Sequence, residues 1–191
     1  MQGYTYAECL KAMQVAGPNL TASTTPTSLL DATGKVTLKP DFFDRRGKGV
    51  LIEFAGQLGN IATTPGTLTL DVRMGPTSNI IVFNGGAMQL SSTVHTTLPV
   101  VGRILLTCRA VGNGTTANLI GQGTITSQCL SLTAVADSAT TPATLLMPNT
   151  VPTVGTGFDS TVAMTVDLFG TFSLNNANAV QIHQYWLYEV N

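Results

Sequence analysis

The sequence has little charge. Of its 191 residues, only 10% are Asp, Glu, Lys or Arg, against about 25% in an average soluble domain. The formal net charge is −1, and because a nucleic-acid-binding protein normally carries a basic stripe, no nucleic acid is expected as a partner. A polar but uncharged surface favours a chain that packs against copies of itself or another protein. An ordinary neutral β-protein is the alternative.

Cysteine and histidine are also scarce. The three cysteines show no CxxC spacing, and the two histidines, His95 and His183, form no HxH pair. The sequence therefore predicts no metal site. All three cysteines are expected to be reduced, as in a cytosol, and Cys108 in the strand-like LLTCRAV is expected to be buried. His183 is interpreted as a half-buried strand residue.

Long apolar runs and catalytic motifs are missing as well. No stretch reaches 18 apolar residues, so no membrane span is expected, and the N-terminus lacks the pattern of a signal peptide. There is no GxSxG elbow and no phosphate-binding glycine loop. The chain is therefore expected to be no enzyme and to need no cofactor, although a hydrolase site assembled from distant residues remains an alternative.

What the sequence does have is alternation. In GTLTLDVRMG, residues 66–75, four apolar residues alternate with four polar ones: Leu68, Leu70, Val72 and Met74 with Thr67, Thr69, Asp71 and Arg73. Successive side chains of an extended chain point to opposite faces, so this pattern predicts a strand with one buried and one polar face. Asp71 and Arg73 share the polar face and are expected to pair weakly at the surface.

Similar strands, separated by turn residues, fill the chain from residue 28 onward. They are predicted at 50–58, 66–75, 79–83, 103–111, 117–125, 161–172 and 179–190. About eight strands without a long amphipathic helix predict an all-β fold, a jelly-roll-like antiparallel β-sandwich. The stretch 127–157 is expected to form extended, contact-making loops with strands at 144–147 and 150–154.

The first 27 residues differ from the rest. Residues 4–15 are compatible with a short helix that Gly17-Pro18 ends, and the segment 22–28, ASTTPTS, supports no regular element. The sequence therefore predicts an N-terminal arm or helix with a linker at 1–27, followed by a jelly-roll β-sandwich domain at 28–191. The arm docks on another molecule, or its helix packs on its own sheet.

The few charged residues are concentrated in one segment of the sequence. Seven of the nineteen charged side chains (nine basic and ten acidic) lie between Lys35 and Lys48. They are expected in a surface loop, where arginines clamp acidic groups of a neighbouring subunit or form weak local ion pairs. The candidate protein-interaction residues of the arm and this loop are Tyr4, Tyr6, Lys11, Asp41, Asp44, Arg45, Arg46 and Lys48.

Four segments together resemble the jelly-roll virion proteins of tailed bacteriophages. They are FFDRRGKGVLIEFAGQLGN, TPGTLTLDVRMG, GRILLTCRAVGNGTTANLIGQGTI and VDLFGTFSLNNANAVQIHQYWLYEV, within residues 40–190. Proteins of this kind decorate capsids, form head spikes or fibres, or sit on tails, and they commonly assemble as trimers. The arm at residues 1–27 has no counterpart in the resemblance.

The resemblance implies a capsid decoration, or cement, protein. Such a protein is synthesised in the bacterial cytoplasm and lies on the capsid surface of the virion, where a homotrimer binds the major capsid protein or other virion proteins. The alternative is the receptor- or glycan-binding head of a phage spike or tail protein. In that alternative the loops at 127–157 and the aromatic residues Tyr185 and Tyr188 carry the contacts.

Overall fold

The chain folds almost wholly as extended strands. The computed structural model describes residues 7–61, 64–131 and 142–190, and these ranges contain no helix and thus none able to cross a membrane. The strands are β1 (Ala7–Ala12), β2 (Leu20–Thr21), β3 (Thr27–Ser28), β4 (Val36–Leu38), β5 (Gly49–Asn60), β6 (Thr67–Met74), β7 (Ile80–Asn84), β8 (Met88–Gln89), β9 (His95–Ala110), β10 (Asn118–Ser127), β11 (Ala143–Met147), β12 (Met164–Phe172) and β13 (Ala179–Val190).

The strands form two antiparallel sheets. The larger sheet has the order β1-β13-β5-β9-β10-β11, and β2 also pairs with β13. The smaller sheet has the order β3-β12-β6-β7, with β4 paired to β12 and β8 paired to β6. The chain crosses between the sheets several times, for example from β4 to β5 and from β12 to β13. The two sheets pack face to face and bury their apolar side chains between them.

The strand order is that of a jelly roll. β1 pairs with β13, β4 with β12, β5 with β9, and β6 with β7. These four nested antiparallel pairs are the arrangement of a long hairpin that has rolled up into two sheets. β10 and β11 extend the larger sheet beyond β9 as an additional antiparallel pair. The predicted fold class, an all-β jelly-roll-like sandwich, is confirmed.

Alternation along the strands builds the core between the sheets. The inward side chains of β6 and β5 are all buried: Leu68, Leu70, Val72 and Met74 from the first, and Val50, Ile52, Phe54 and Leu58 from the second. Full burial of a side chain of this size contributes about 1.5–3 kcal/mol. The buried face predicted for residues 66–75 is therefore confirmed.

The helix expected over residues 4–15 is not formed by the described part of that segment. Residues 7–12 are strand β1, which pairs with the C-terminal strand β13. The pairing satisfies the backbone of an otherwise open sheet edge, and Leu10 and Met13 pack against the core. These tertiary contacts outweigh the local helix propensity. β2 and β3 pair with β13 and β12, while the division of the chain at residue 27 stays a prediction.

The two strands expected in the stretch 127–157 have different outcomes. The strand predicted at 144–147 is confirmed as β11. The segment 150–154 forms no strand, and a single bridge joins its Val154 to Ile120. Pro152 lies in the middle of this segment and has no N–H to donate to a ladder, which explains the difference.

Candidate functional site

Charge is distributed unevenly over the fold. Residues 74–102 contain no Asp, Glu, Lys or Arg, and residues 110–158 contain only Asp137, which lies outside the described residues. These stretches supply β7, at the edge of the smaller sheet, and β10 and β11, at the edge of the larger one. We call the surface formed by β7, β10, β11 and the segment 148–157 the uncharged flank.

Backbone hydrogen bonds hold the segment 148–157 between the two sheets. The Gly155 N–H donates to the Leu119 carbonyl of β10 at 2.9 Å, and the Thr156 N–H donates to the Ile81 carbonyl of β7 at 3.0 Å. A Cβ at Gly155 would lie 1.9 Å from the Val82 carbonyl oxygen, so this close approach requires glycine. The segment is therefore an integral part of the flank.

The segment 148–157 separates two grooves. One groove, of about 370 Å³, lies beside β7, and the other, of about 530 Å³, lies on the outer side of β9 and β10. Pro148 and Thr150 line both grooves. Beside them Val151 is 81% exposed and Leu146 is 69% exposed. Among the residues that line the two grooves, only Arg103 is charged. Exposed apolar side chains beside grooves with so little charge are typical of a surface that another protein covers.

A second feature lies on the outer face of the larger sheet. The strand register places Trp186, Glu53, Arg103 and Thr124 directly opposite one another on β13, β5, β9 and β10. With about 4.8 Å between neighbouring strands, this transverse row is about 14 Å long. The four residues line a depression of about 320 Å³. Sequence patterns do not reveal the row, because it depends on the pairing of strands that are distant in the chain.

The charged loop at residues 41–48 is anchored by aromatic side chains. Phe42 and Phe43 are buried, and their rings meet edge to face with 5.0 Å between centroids. Phe43 in turn lies 5.9 Å from the ring of Phe158. These ring contacts bury both Phe side chains and hold the loop against the end of the sandwich.

The charged residues of this loop have two different environments. The exposed ones are Asp41, Asp44, Arg45 and Arg46. Lys48 is buried, with its Nζ 3.0 Å from Glu189 Oε1 and 4.4 Å from the centre of the Phe42 ring. Lys48 therefore stabilises the loop through buried contacts. Of the candidate residues in this loop, only the four exposed ones present charge to a partner. Of the arm candidates, Lys11 is half-buried on β1, and Tyr4 and Tyr6 lie outside the described residues.

The ion pair expected on the polar face of β6 forms, but it is largely covered. Arg73 Nη2 lies 3.3 Å from Asp71 Oδ2, and the two side chains are 16% and 7% exposed. Arg73 also lies over the ring of Phe169, 4.4 Å from its centre. Burial raises the pKa of Asp71, and Arg73 opposes this shift. The expectation of a weak pair at the surface was therefore wrong, because Phe169 on the neighbouring strand covers this face.

A bulge in β13 changes which aromatic side chain faces outward. The register shifts between Ile182 and Gln184, and His183 at the bulge is exposed rather than half-buried as expected. After the bulge the alternation is offset by one residue. Tyr185, expected as an exposed contact residue, is consequently buried in the core, and Trp186 lines the outer depression.

The cysteines are unpaired. Cys9 is exposed, whereas Cys108, as predicted, and Cys129 are buried. Burial raises the pKa of the Cys129 thiol to about 11. Within the described ranges, no three or more His, Cys, Asp or Glu side chains lie close enough together to hold a metal ion.

No family model and no curated protein matches the sequence. Among solved structures, the chain is similar to a lectin from Bauhinia forficata in complex with GalNAc, with a TM-score of 0.36, 7% identity and coverage of 97% of this chain and 98% of the lectin. It is also similar to the CBM2 module of the evolved Dit of Lactobacillus casei BL23 phage J-1, with a TM-score of 0.29, 10% identity and coverage of 87% and 75%. At such scores these likenesses carry no inference about function.

Proposed function

We propose that the protein is a non-catalytic structural component of a bacteriophage virion, a capsid decoration protein that acts through protein contacts. In this proposal it forms a homotrimer through the uncharged flank. The trimer then binds the major capsid protein through the exposed charges of the 41–48 loop and stabilises the head shell.

The observation that carries the proposal is the uncharged flank. Removing charged side chains from water is costly, so surfaces that are buried in permanent assemblies have few of them. The strands β7, β10 and β11 and the segment 148–157 carry no charged side chain, and the apolar side chain of Val151 is 81% exposed there. The flank therefore meets this requirement. Covering it also protects β11, which is a sheet edge with backbone groups able to pair with other chains.

Light scattering after size-exclusion chromatography tests the assembly. We expect a mass three times that of one chain, and we expect Val151→Asp to yield monomers because it places a charge inside the interface. The matched control is Val15→Asp, since Val15 is 55% exposed and follows β1 at the opposite edge of the larger sheet. A monomeric wild-type protein, or equal dissociation by both variants, contradicts the proposal.

The second candidate function is the receptor- or glycan-binding head of a spike or tail protein. The observation that favours it is the depression lined by Trp186 and Glu53, because aromatic and polar side chains that converge in a concavity are typical of ligand sites. A spike head carries such a site on its exposed surface, whereas a cement protein needs none.

A further inference from the structure

We propose that the transverse row of Trp186, Glu53, Arg103 and Thr124 binds a neutral pyranose sugar. The proposal rests on the second candidate function and names its site and ligand class. It uses the outer face of the larger sheet between β13 and β10. Arg103 and Thr124 also line the groove of about 530 Å³, so the sugar site adjoins the proposed subunit interface.

The row offers the two kinds of contact that a sugar ring can make. One face of a pyranose presents C–H groups that pack on an aromatic ring, and Trp186 supplies the indole. The hydroxyl groups at the rim of the ring donate hydrogen bonds to a carboxylate and accept them from a guanidinium group. Glu53 and Arg103 follow Trp186 at the spacing of successive strands, and Thr124 adds a hydroxyl.

The charged groups of the row retain hydrogen-bonding capacity for a ligand. Arg103 Nε lies 3.8 Å from Glu53 Oε1, which is longer than a hydrogen bond. Their side chains are 63% and 42% exposed, so most of their polar surface contacts solvent. Because the two charges are opposite and adjacent, the row as a whole is neutral. This balance favours an uncharged sugar over an anionic one.

The residues beside the row and the volume of the depression set the size of the ligand. On one side Ala55 and Val101 are paired across β5 and β9, and their short side chains leave the depression open. Its volume of about 320 Å³ lies at the lower end of small-molecule sites, which span about 300–1,000 Å³. An extended peptide would bind at a sheet edge, where backbone groups are free to pair. The site therefore suits one or two sugar units.

Trp186 is the only tryptophan of the chain, so its fluorescence reports directly on this site. The probes are glucose, galactose, N-acetylglucosamine and rhamnose, each titrated to about 100 mM because a shallow single-ring site binds with a dissociation constant of the order of 1 mM. We expect a saturable change in the intensity or wavelength of the emission with at least one of them. No saturable change with any of the four overturns the proposal.

Two variants test which side chains are responsible. Arg103→Gln is expected to weaken the binding at least fivefold, whereas Arg109→Gln, the same change at an exposed position on the same strand, leaves it unchanged. Equal effects of the two variants contradict the assignment.

If emission changes with protein concentration and not with sugar, a second copy covers the depression, and the sugar proposal is wrong. Light scattering on the same samples reports the assembly separately, so a trimer that binds no sugar and a monomer that binds sugar are distinguished.

Discussion

Among single residues, Tyr185 has a polar atom with no partner. Its hydroxyl is buried without a hydrogen bond, and leaving a buried polar group unpaired costs about 1–3 kcal/mol. We expect Tyr185→Phe to raise the free energy of unfolding by about 1 kcal/mol, measured by urea denaturation. Tyr185→Ala instead leaves a cavity and lowers it by about 3–5 kcal/mol. A destabilised Phe variant would show that the hydroxyl has a partner.

The same hydroxyl gives the protein a dependence on alkaline pH. Burial, together with the charge of Asp167, raises the pKa of Tyr185 well above its ordinary value of 10.0. In the unfolded chain the phenol ionises near pH 10, while in the folded chain it stays neutral. Stability from this residue is therefore complete below pH 10 and is lost as the pH rises beyond it. Between pH 9 and about 11, the wild type should lose more stability than Tyr185→Phe, and parallel curves would contradict the assignment.

The three thiols should differ in reactivity. Cys9 is exposed on the edge strand β1, whereas Cys108 and Cys129 are buried, and burial raises the pKa of both buried thiols. Because the thiolate is the reactive form, a disulfide-exchange reagent at pH 8 should modify Cys9 rapidly and the other two only after denaturation. Mass spectrometry of the modified peptides identifies the sites. Rapid native labelling of Cys129 would contradict the structure.

At the scale of secondary structure elements, the local sequence predicts which face of a strand is buried but not which strand it pairs with. The buried face of β6 follows from a period of two residues in the local sequence, and the prediction is confirmed. The position of β1 does not follow from its sequence, because the open edge of β13 decides it. The bulge near His183 likewise changes the face of Tyr185 and Trp186, and no local signal marks it. The charge-free stretches were visible in the sequence, but their meeting in one flank depends on the fold.

The segment 148–157 gives a prediction at this scale. Gly155→Ala would place a methyl group 1.9 Å from the Val82 carbonyl oxygen, and relieving such a clash costs about 1–3 kcal/mol. We expect the segment to detach from β7, with faster amide hydrogen exchange at residues 154–158 and little change in β5 and β13. Thr153→Ala, at an exposed position of the same segment, is the control. Unchanged exchange in Gly155→Ala would show that the segment is not held by this contact.

At the scale of the whole molecule, charged and uncharged surfaces are separate. The flank lacks Asp, Glu, Lys and Arg among its described residues, whereas the 41–48 loop presents the exposed side chains of Asp44, Arg45 and Arg46. Salt screens charges, with a Debye length of about 10 Å at 0.1 M and about 3 Å at 1 M. Apolar contacts are not weakened in this way. The two proposed interfaces should therefore respond differently to ionic strength.

Binding to phage heads that lack the protein tests this separation. As salt rises from about 0.1 to about 1 M, we expect less protein to co-sediment with the heads, while light scattering shows an unchanged trimer. Arg46→Glu should reduce head binding at low salt at least about threefold, since it reverses a charge repeated in every subunit. Glu53→Arg, a charge reversal on the outer face of the larger sheet at a residue that lines neither groove of the flank, should not. If salt instead dissociates the trimer and leaves head binding intact, the charged loop joins the subunits and the uncharged flank meets the shell.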